Sequence, residues 1–383
     1  MEPVLHRLAK GFPVIGITGP RQAGKTTLAK HCFPDRPYVS LENPDTLEHV
    51  QQDPRGFLDQ YPDGLVIDEV QRDPRLFSYL QGLVDQQQVM GQYILTGSEQ
   101  FGFREKATQT LAGRIGLLQL TPYTMTELKQ SAQLYPDLDQ QLVAGFYPPL
   151  YSRDVSQDDW YANYVQTYVE RDIQQIIQIK DLNKFRTFLR LCAGRVGQLL
   201  NLSSIGNDCG VSHNTVREWI SILEASYIIF RLTPHFENFS KRLIKSEKLY
   251  FYDTGLMCWL LNIKSDEQVR VNPLAGNIFE NMIVAELLKQ RLIQSRSPDL
   301  YFWRDKSQLE IDVILDQGSQ LMPIEIKKGK TIVSDFFKNL TRWRELARDK
   351  AAPGVLIYGG HETQSRENCR VLPWYDCDQL VGL

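Results

Sequence analysis

The stretch "PVIGITGPRQAGKTTLAKHCF" (Pro13–Phe33) opens on an apolar run, passes through a glycine-containing turn and enters a helical pattern at about Gly24. Gly19, Gly24, Lys25 and Thr26 fit the spacing G-x-x-x-x-G-K-[ST] of a phosphate-binding loop, in the strand-to-helix setting that such a loop requires. Composition alone yields the bare pattern in roughly one chain in a hundred of this length. In such a loop, Gly19, Pro20, Arg21, Gln22, Ala23, Gly24, Lys25, Thr26 and Thr27 surround the phosphates, and the glycines let the backbone N–H groups, which all but the proline carry, wrap around them. Lys25 neutralises the β and γ charges, Thr26 offers its hydroxyl to Mg²⁺, and the helix start adds partial positive charge.

A matching half follows in "GLVIDEVQRDP" (Gly64–Pro74), where Leu65, Val66 and Ile67 form a buried strand that ends in Asp68 and Glu69. Carboxylates at the carboxyl end of a strand face the crevice where open α/β sheets bind ligands. Asp68 suits a Mg²⁺ ion, and Glu69 suits the orientation or deprotonation of an attacking water. The intervening strand "PYVSLE" (Pro37–Glu42) favours an ATPase with a catalytic glutamate over a nucleotide kinase. "QYILTGSEQF" (Gln92–Phe101) supplies another strand with Thr96, Gly97 and Ser98 at its end. Ser98 reads equally as a sensor of the γ-phosphate or as the N-cap of the next helix. In "LAGRIGLLQL" (Leu111–Leu120), Arg114 reads as an arginine finger for a neighbouring subunit or as an ordinary surface arginine.

The bulk properties bound what else the chain can be. At 383 residues it exceeds one ordinary hydrophobic core, so two or three domains are expected. A net charge of −3 excludes a global electrostatic attraction to nucleic acid and requires a local basic patch for any such partner. The six cysteines are scattered without metal-ligand spacing, which points to reduced thiols and a cytoplasmic protein. No apolar run reaches the ~18 residues of a membrane span.

The set "GPRQAGKTTL", "VIDEVQRDP", "ILTGS" and "LAGR" resembles a large family of prokaryotic AAA-type ATPases whose carboxy-terminal half has poorly assigned function. The resemblance implies ATP and Mg²⁺ as cofactors, with Lys25, Thr26, Asp68 and Glu69 matching position by position. A finger at Arg114 acting in trans would imply a homo-oligomer formed through the ATPase domain.

Beyond "TPYTMTELKQ" (Thr121–Gln130) the pattern turns helical, and Pro148 and Pro149 interrupt it. "DWYANYVQTYVERDIQQIIQI" (Asp159–Ile179) carries apolar residues at helical spacing, so its tyrosines read as core, and Arg171 reads more readily as an ordinary arginine than as a contact to nucleotide from a lid. "NLSSIGNDCGVSHNTVREWISILEASYIIFRL" (Asn201–Leu232) has the order of a helix-turn-helix, with a turn at Cys209–Gly210–Val211 and Ser212 as a cap. Val216, Trp219, Ile220 and Leu223 make the core face, leaving His213, Asn214, Thr215 and Arg217 where a recognition helix reads bases. The hairpin that follows carries Lys241, Arg242, Lys245 and Lys248 in its connection, a basic wing suited to DNA phosphates. The other reading is a winged helix that only packs on protein.

The last third reads α-β-β-β-α-β: a helix in "PLAGNIFENMIVAELLKQRLI" (Pro273–Ile293), strands at "LYFWRD", "EIDVIL" and "MPIEIKK", a helix from about Asp335, and a strand at "GVLIYGG". That order resembles the restriction-endonuclease-like, or PD-(D/E)xK, nuclease core. Residues two apart on a strand share a face, so Glu325 and Lys327 point together, and Asp312 on the adjacent strand reaches the same spot. Two carboxylates suit Mg²⁺, and Lys327 suits the orientation of its water. Glu280 falls on the apolar face of its helix and needs a partner, which makes it a third metal-ligand candidate. Ile311 stands where the motif's name expects proline.

The expected architecture is α/β: a P-loop AAA-type ATPase domain with a parallel sheet (residues 1–125), a helical lid or linker (126–195), a winged helix-turn-helix (196–265) and a nuclease-like domain (266–383). The expected function is ATP hydrolysis coupled to DNA binding or processing, with a Mg²⁺-dependent nuclease domain. The alternative is an ATP-controlled binding switch whose nuclease-like domain is inactive and docks DNA or a protein partner.

Overall fold

The computed structural model describes residues 1–98, 100–170, 181–235, 245–366 and 368–380. The chain divides into two compact units. The first holds Met1–Pro122 with the short returns Ala225–Tyr227 and Arg291–Arg296, and the second holds Tyr123–Glu224, Ile228–Gln290 and Ser297–Leu383.

The first unit is built on five parallel strands: β1 (Val14–Thr18), β2 (Tyr38–Ser40), β3 (Leu65–Asp68), β4 (Tyr93–Gly97) and β5 (Ile115–Gln119), in the order β2-β3-β4-β1-β5. Side chains alternate between two covered faces. Val14, Leu65, Ile67, Tyr93 and Leu95 enter one core with Phe77 and Phe103, whereas Ile15, Ile17, Val66, Ile94 and Leu118 enter the other with Leu5 and Ala29. Burial on both faces explains why these strands read as unbroken apolar runs. β4 separates the loop-bearing β1 from β3, so the turn after β1 and the carboxylates ending β3 lie about two strand spacings apart, roughly 10 Å.

The second unit joins helical segments, a helix-turn-helix and a six-stranded sheet. Helix Leu202–Cys209 is capped by the Asn201 side chain and ends at Gly210, whose φ of 65° the next turn requires. Ser212 caps the helix His213–Ala225 by accepting from the Thr215 N–H at 3.1 Å. Strands β6 (Ile229–Leu232) and β7 (Lys248–Phe251) pair antiparallel as the expected hairpin. Trp160, Tyr161, Tyr164 and Tyr168 are buried and stack among themselves and on Tyr147, so this aromatic run is core.

The large sheet comprises β8 (Leu300–Arg304), β9 (Glu310–Asp316), β10 (Leu321–Lys327), β11 (Gly354–Tyr358), β12 (Gln364–Arg366) and β13 (Cys369–Pro373), in the order β12-β13-β11-β10-β9-β8. β8, β9 and β10 form an antiparallel meander, while β11 and β13 run parallel to β10. The helix Lys338–Ala347 crosses between β10 and β11 and buries Leu340 and Trp343 against Trp303, Ile311 and Leu356. The β9–β10 ladder runs from Asp316↔Leu321 to Val313↔Ile324. Its turn is pinned by the Gly318 N–H donating to Asp316 at 2.8 Å.

All six cysteines are free and buried, and among the described residues no helix is long and apolar enough to cross a membrane.

Candidate functional sites

The turn after β1 is held open by backbone conformations that ordinary side chains resist. Gly19 (φ 149°) runs so close to β5 that a Cβ there would meet the Leu120 carbonyl oxygen at 1.9 Å. Gln22 and Gly24 also have positive φ, and Gly24 delivers the chain into the helix Lys25–Cys32. The Lys25 ammonium is buried and donates to the carbonyls of Gly19 (3.0 Å) and Pro20 (2.8 Å). Burial pushes its pKa down to about 8, against the opposing pull of Glu69 and Asp68.

Asp68 gathers three hydroxyls. Thr26 donates to it at 3.1 and 3.3 Å, Tyr38 donates at 2.7 Å from the end strand β2, and Thr96 donates from β4. Glu69 stands in the left-handed region (φ 55°, ψ 43°), a conformation costing about 1–3 kcal/mol that persists only where neighbours fix it. Ser98 donates to its Oε2 at 3.0 Å, and Gln71 donates to the same oxygen. Ser98 is therefore brought to Glu69 within the cluster.

Arg114 is not part of that cluster in its own chain. It precedes β5, at the amino ends of the parallel strands, whereas the loop follows the carboxyl end of β1. Asp85 holds its guanidinium through two contacts, one at 2.8 Å, and the Ala112 carbonyl accepts a further bond at 3.1 Å.

One prediction arises from Lys25. A phosphate ligand favours the ammonium, so the bound state holds more protons than the free protein wherever the free lysine is partly neutral. Just above pH 8, nucleotide binding is expected to take up protons and to weaken as pH rises further. Calorimetric titration in two buffers of different ionisation enthalpy reads this directly; identical enthalpies would contradict it.

In the second unit, Asp312, Glu325 and Lys327 meet. The Lys327 ammonium lies 2.7 Å from Glu325 and 3.6 Å from Asp312, and Asp312 accepts the Ile326 N–H at 2.8 Å where the β9–β10 ladder ends. Ile324 and Ile326 are buried on the other side of the strand. Glu325 is 3% exposed and its Oε2 has no hydrogen-bond partner. Burial, with Asp312 beside it, pushes its carboxyl up to about 8, although Lys327 opposes the shift. A cleft of about 380 Å³ opens here, lined by Glu325 and Lys327 together with Lys338, Asn339 and Arg342.

Glu280 departs from the expectation that it joins Asp312 and Glu325 as a metal ligand. Its carboxylate accepts from Tyr250 at 2.6 Å and pairs with Lys248 at 3.3 Å. Among the described residues, no group of three or more His, Cys, Asp or Glu side chains is gathered for a metal ion. Lys248 likewise departs from its reading as a wing cation: it is 2% exposed, because β7 is buried along its whole length. Lys328, next to Lys327, is paired with Asp139 at 2.7 Å.

On the helix-turn-helix, Val216, Trp219, Ile220 and Leu223 are buried, whereas Asn214 and Arg217 are exposed and His213 and Thr215 half-exposed. Lys245 is exposed beside Arg231, which Glu224 and Glu247 neutralise. Lys241, Arg242 and Arg171 lie outside the described residues.

Tyr38 and Gln71 were not legible as site residues. Tyr38 opens the short strand β2 and reaches Asp68 across to β3, and Gln71 stands two residues after Glu69.

The parallel sheet, the phosphate-binding loop and the carboxylates ending β3 define a P-loop ATPase domain of the AAA type. Consistent with this, a family model described as an AAA domain matches residues 11–129. Two further models, both described as domains of unknown function, match residues 135–267 (DUF8612) and 275–377 (DUF4143). The uncharacterized proteins Rv2008c of Mycobacterium tuberculosis and Mb2031c of Mycobacterium bovis are each 30% identical over 331 residues, covering 85% of this chain and 73% of theirs. The chain belongs to the family of these AAA-domain proteins. Among solved structures, the Walker-type ATPase paby2304 of Pyrococcus abyssi aligns with a TM-score of 0.44 at 14% identity, over 68% of this chain and 94% of that one. AMPPCP-bound DnaA of Aquifex aeolicus aligns with a TM-score of 0.30 at 16% identity, over 58% and 85%.

Proposed function

We propose that this protein hydrolyses ATP and acts on DNA, binding it through the helix-turn-helix and cleaving it at a nuclease-like centre formed by Asp312, Glu325 and Lys327. The observation that carries the second half is the meeting of those three residues on one face of the paired strands β9 and β10, with the buried Glu325 Oε2 left without a partner beside a cleft lined by Lys327, Lys338 and Arg342 as well as Asp335. Cations around a carboxylate pair suit a phosphodiester, whose charge they attract. The strand and helix order of the sheet supports a restriction-endonuclease-like domain.

In the ATPase site, Lys25 exchanges its carbonyl partners for the β and γ phosphates, and the glycine turn supplies N–H donors. Glu69, fixed by Ser98 and Gln71, accepts the proton of the attacking water. Mg²⁺ fits here by donor chemistry: Thr26 and Asp68 are adjacent oxygen ligands of the hard kind it prefers. At the second centre the same ion fits Asp312 and Glu325, because it would satisfy the unpartnered Oε2 and the like charges. Bound there, it would supply charge stabilisation to the phosphate and acidify water. Lys327 orients that water or neutralises the developing charge.

The competing reading is a nucleotide-controlled switch whose second centre binds without cutting. It is favoured by Lys327 and Lys248, which already balance the carboxylates internally.

DNA engagement is tested by affinity over a salt series. Lys245→Ala is expected to weaken binding across all sequences and to lower the salt slope by about 1. Binding of duplex without any salt dependence, or a slope unchanged in the variant, would remove the winged helix from the account.

A further inference from the structure

Lys248 opens β7 three residues after the exposed Lys245, yet its ammonium lies 2.5 Å from Glu310 and 3.3 Å from Glu280. Three segments far apart in sequence meet on it: β7, the helix Ala275–Leu292 and β9. Tyr250 stands two residues on, on the same strand face, and its hydroxyl donates to the same Glu280 oxygen. The second oxygen of Glu310 is taken by Arg304 at 3.0 Å, and the Phe302 ring lies 5.4 Å from the ammonium. Burial acts against a charge on Lys248, but Glu280, Asp312 and Glu310 outweigh it and hold the lysine protonated.

Inward-facing carboxylates from a helix and a strand, next to Asp312, form an environment that demands a cation. Here the demand is met by an ammonium that the chain itself carries, through ion pairs. We infer that Lys248 is a resident cation standing in for a metal ion on the Glu280 side of the centre, so that Glu280 and Glu310 are counter-ions of a lysine and Asp312 and Glu325 are the carboxylates left for an exogenous ion. An ammonium carries one charge, has no open coordination position and does not acidify water, so this side of the centre neutralises and fixes its acids without activating a nucleophile.

The role of Lys248 as counter-ion to Glu280 and Glu310 requires neither DNA cleavage nor an occupied site at Asp312 and Glu325; only the assignment of those two carboxylates to an exogenous ion rests on the proposed function. Its test is a count of bound Mn²⁺ by electron paramagnetic resonance on the full-length, nucleotide-free protein. Lys248→Gln is expected to bind one more Mn²⁺ per chain than wild type, and the double variant Lys248→Gln/Glu280→Gln is expected to lose that extra ion. A folded Lys248→Gln protein that gains none would overturn the inference. A second arm leaves Lys248 in place and so does not depend on the folding of its variant: Glu280→Gln alone keeps the wild-type count if the inference holds, and lowers it by one if Glu280 is a metal ligand. Loss of wild-type Mn²⁺ in Asp312→Ala reports separately on the metal proposed at Asp312 and Glu325.

Discussion

Glu69→Gln is expected to lower ATP turnover by about 10²–10⁴-fold while leaving nucleotide affinity nearly unchanged. The amide matches the carboxylate in size and can still accept from Ser98, so the strained backbone at φ 55° keeps its support. What it loses is the capacity to take a proton from water. Lys25, Thr26 and Asp68, which carry binding, are held by the Gly19 and Pro20 carbonyls, by Tyr38 and Thr96 and by one another. Steady-state hydrolysis together with equilibrium binding of labelled ATP separates the two effects. Turnover that persists in the variant would show that Glu69 is not the catalytic carboxylate.

Asp312→Ala is expected to reduce DNA cleavage by at least about a hundredfold, since a metal's stabilisation of phosphate charge amounts to several kcal/mol and each 1.4 kcal/mol is tenfold in rate. The substitution also removes the acceptor of the Ile326 N–H, so some loosening at the end of the β9–β10 ladder accompanies it. Asp312→Asn retains an acceptor for that N–H and separates the charge from the ladder. Both variants should keep DNA affinity, because the helix-turn-helix surface is elsewhere in the chain. A matched loss of binding and cleavage would point to structural damage.

Local spacing carried much of this account, and long-range placement carried the rest. The phosphate-binding loop is legible because its chemistry lies within eight consecutive residues, and Asp68 and Glu69 because they end an apolar run. Their partners are not legible. Tyr38 and Thr96 reach Asp68 only because the strand order puts β3 between β2 and β4, and no sequence spacing encodes that adjacency. Arg114 meets Asp85 across 29 residues. In the second unit, strand alternation places Glu325 and Lys327 together, and the apolar face around Glu280 announces a buried carboxylate needing a partner. That the partner is Lys248 could not be read. The lysine that ends "SKRLIKSEK" has the look of a solvated wing, and only the packing of β7 buries it.

The most direct measurement is cleavage of a panel of single-stranded, duplex and branched DNA by wild type and Asp312→Ala, with and without Mg²⁺ and ATP. The account predicts products with wild type that require Mg²⁺ and vanish in the variant. No products from any substrate under any of these conditions would contradict it, and would leave an ATPase whose second unit binds without cutting.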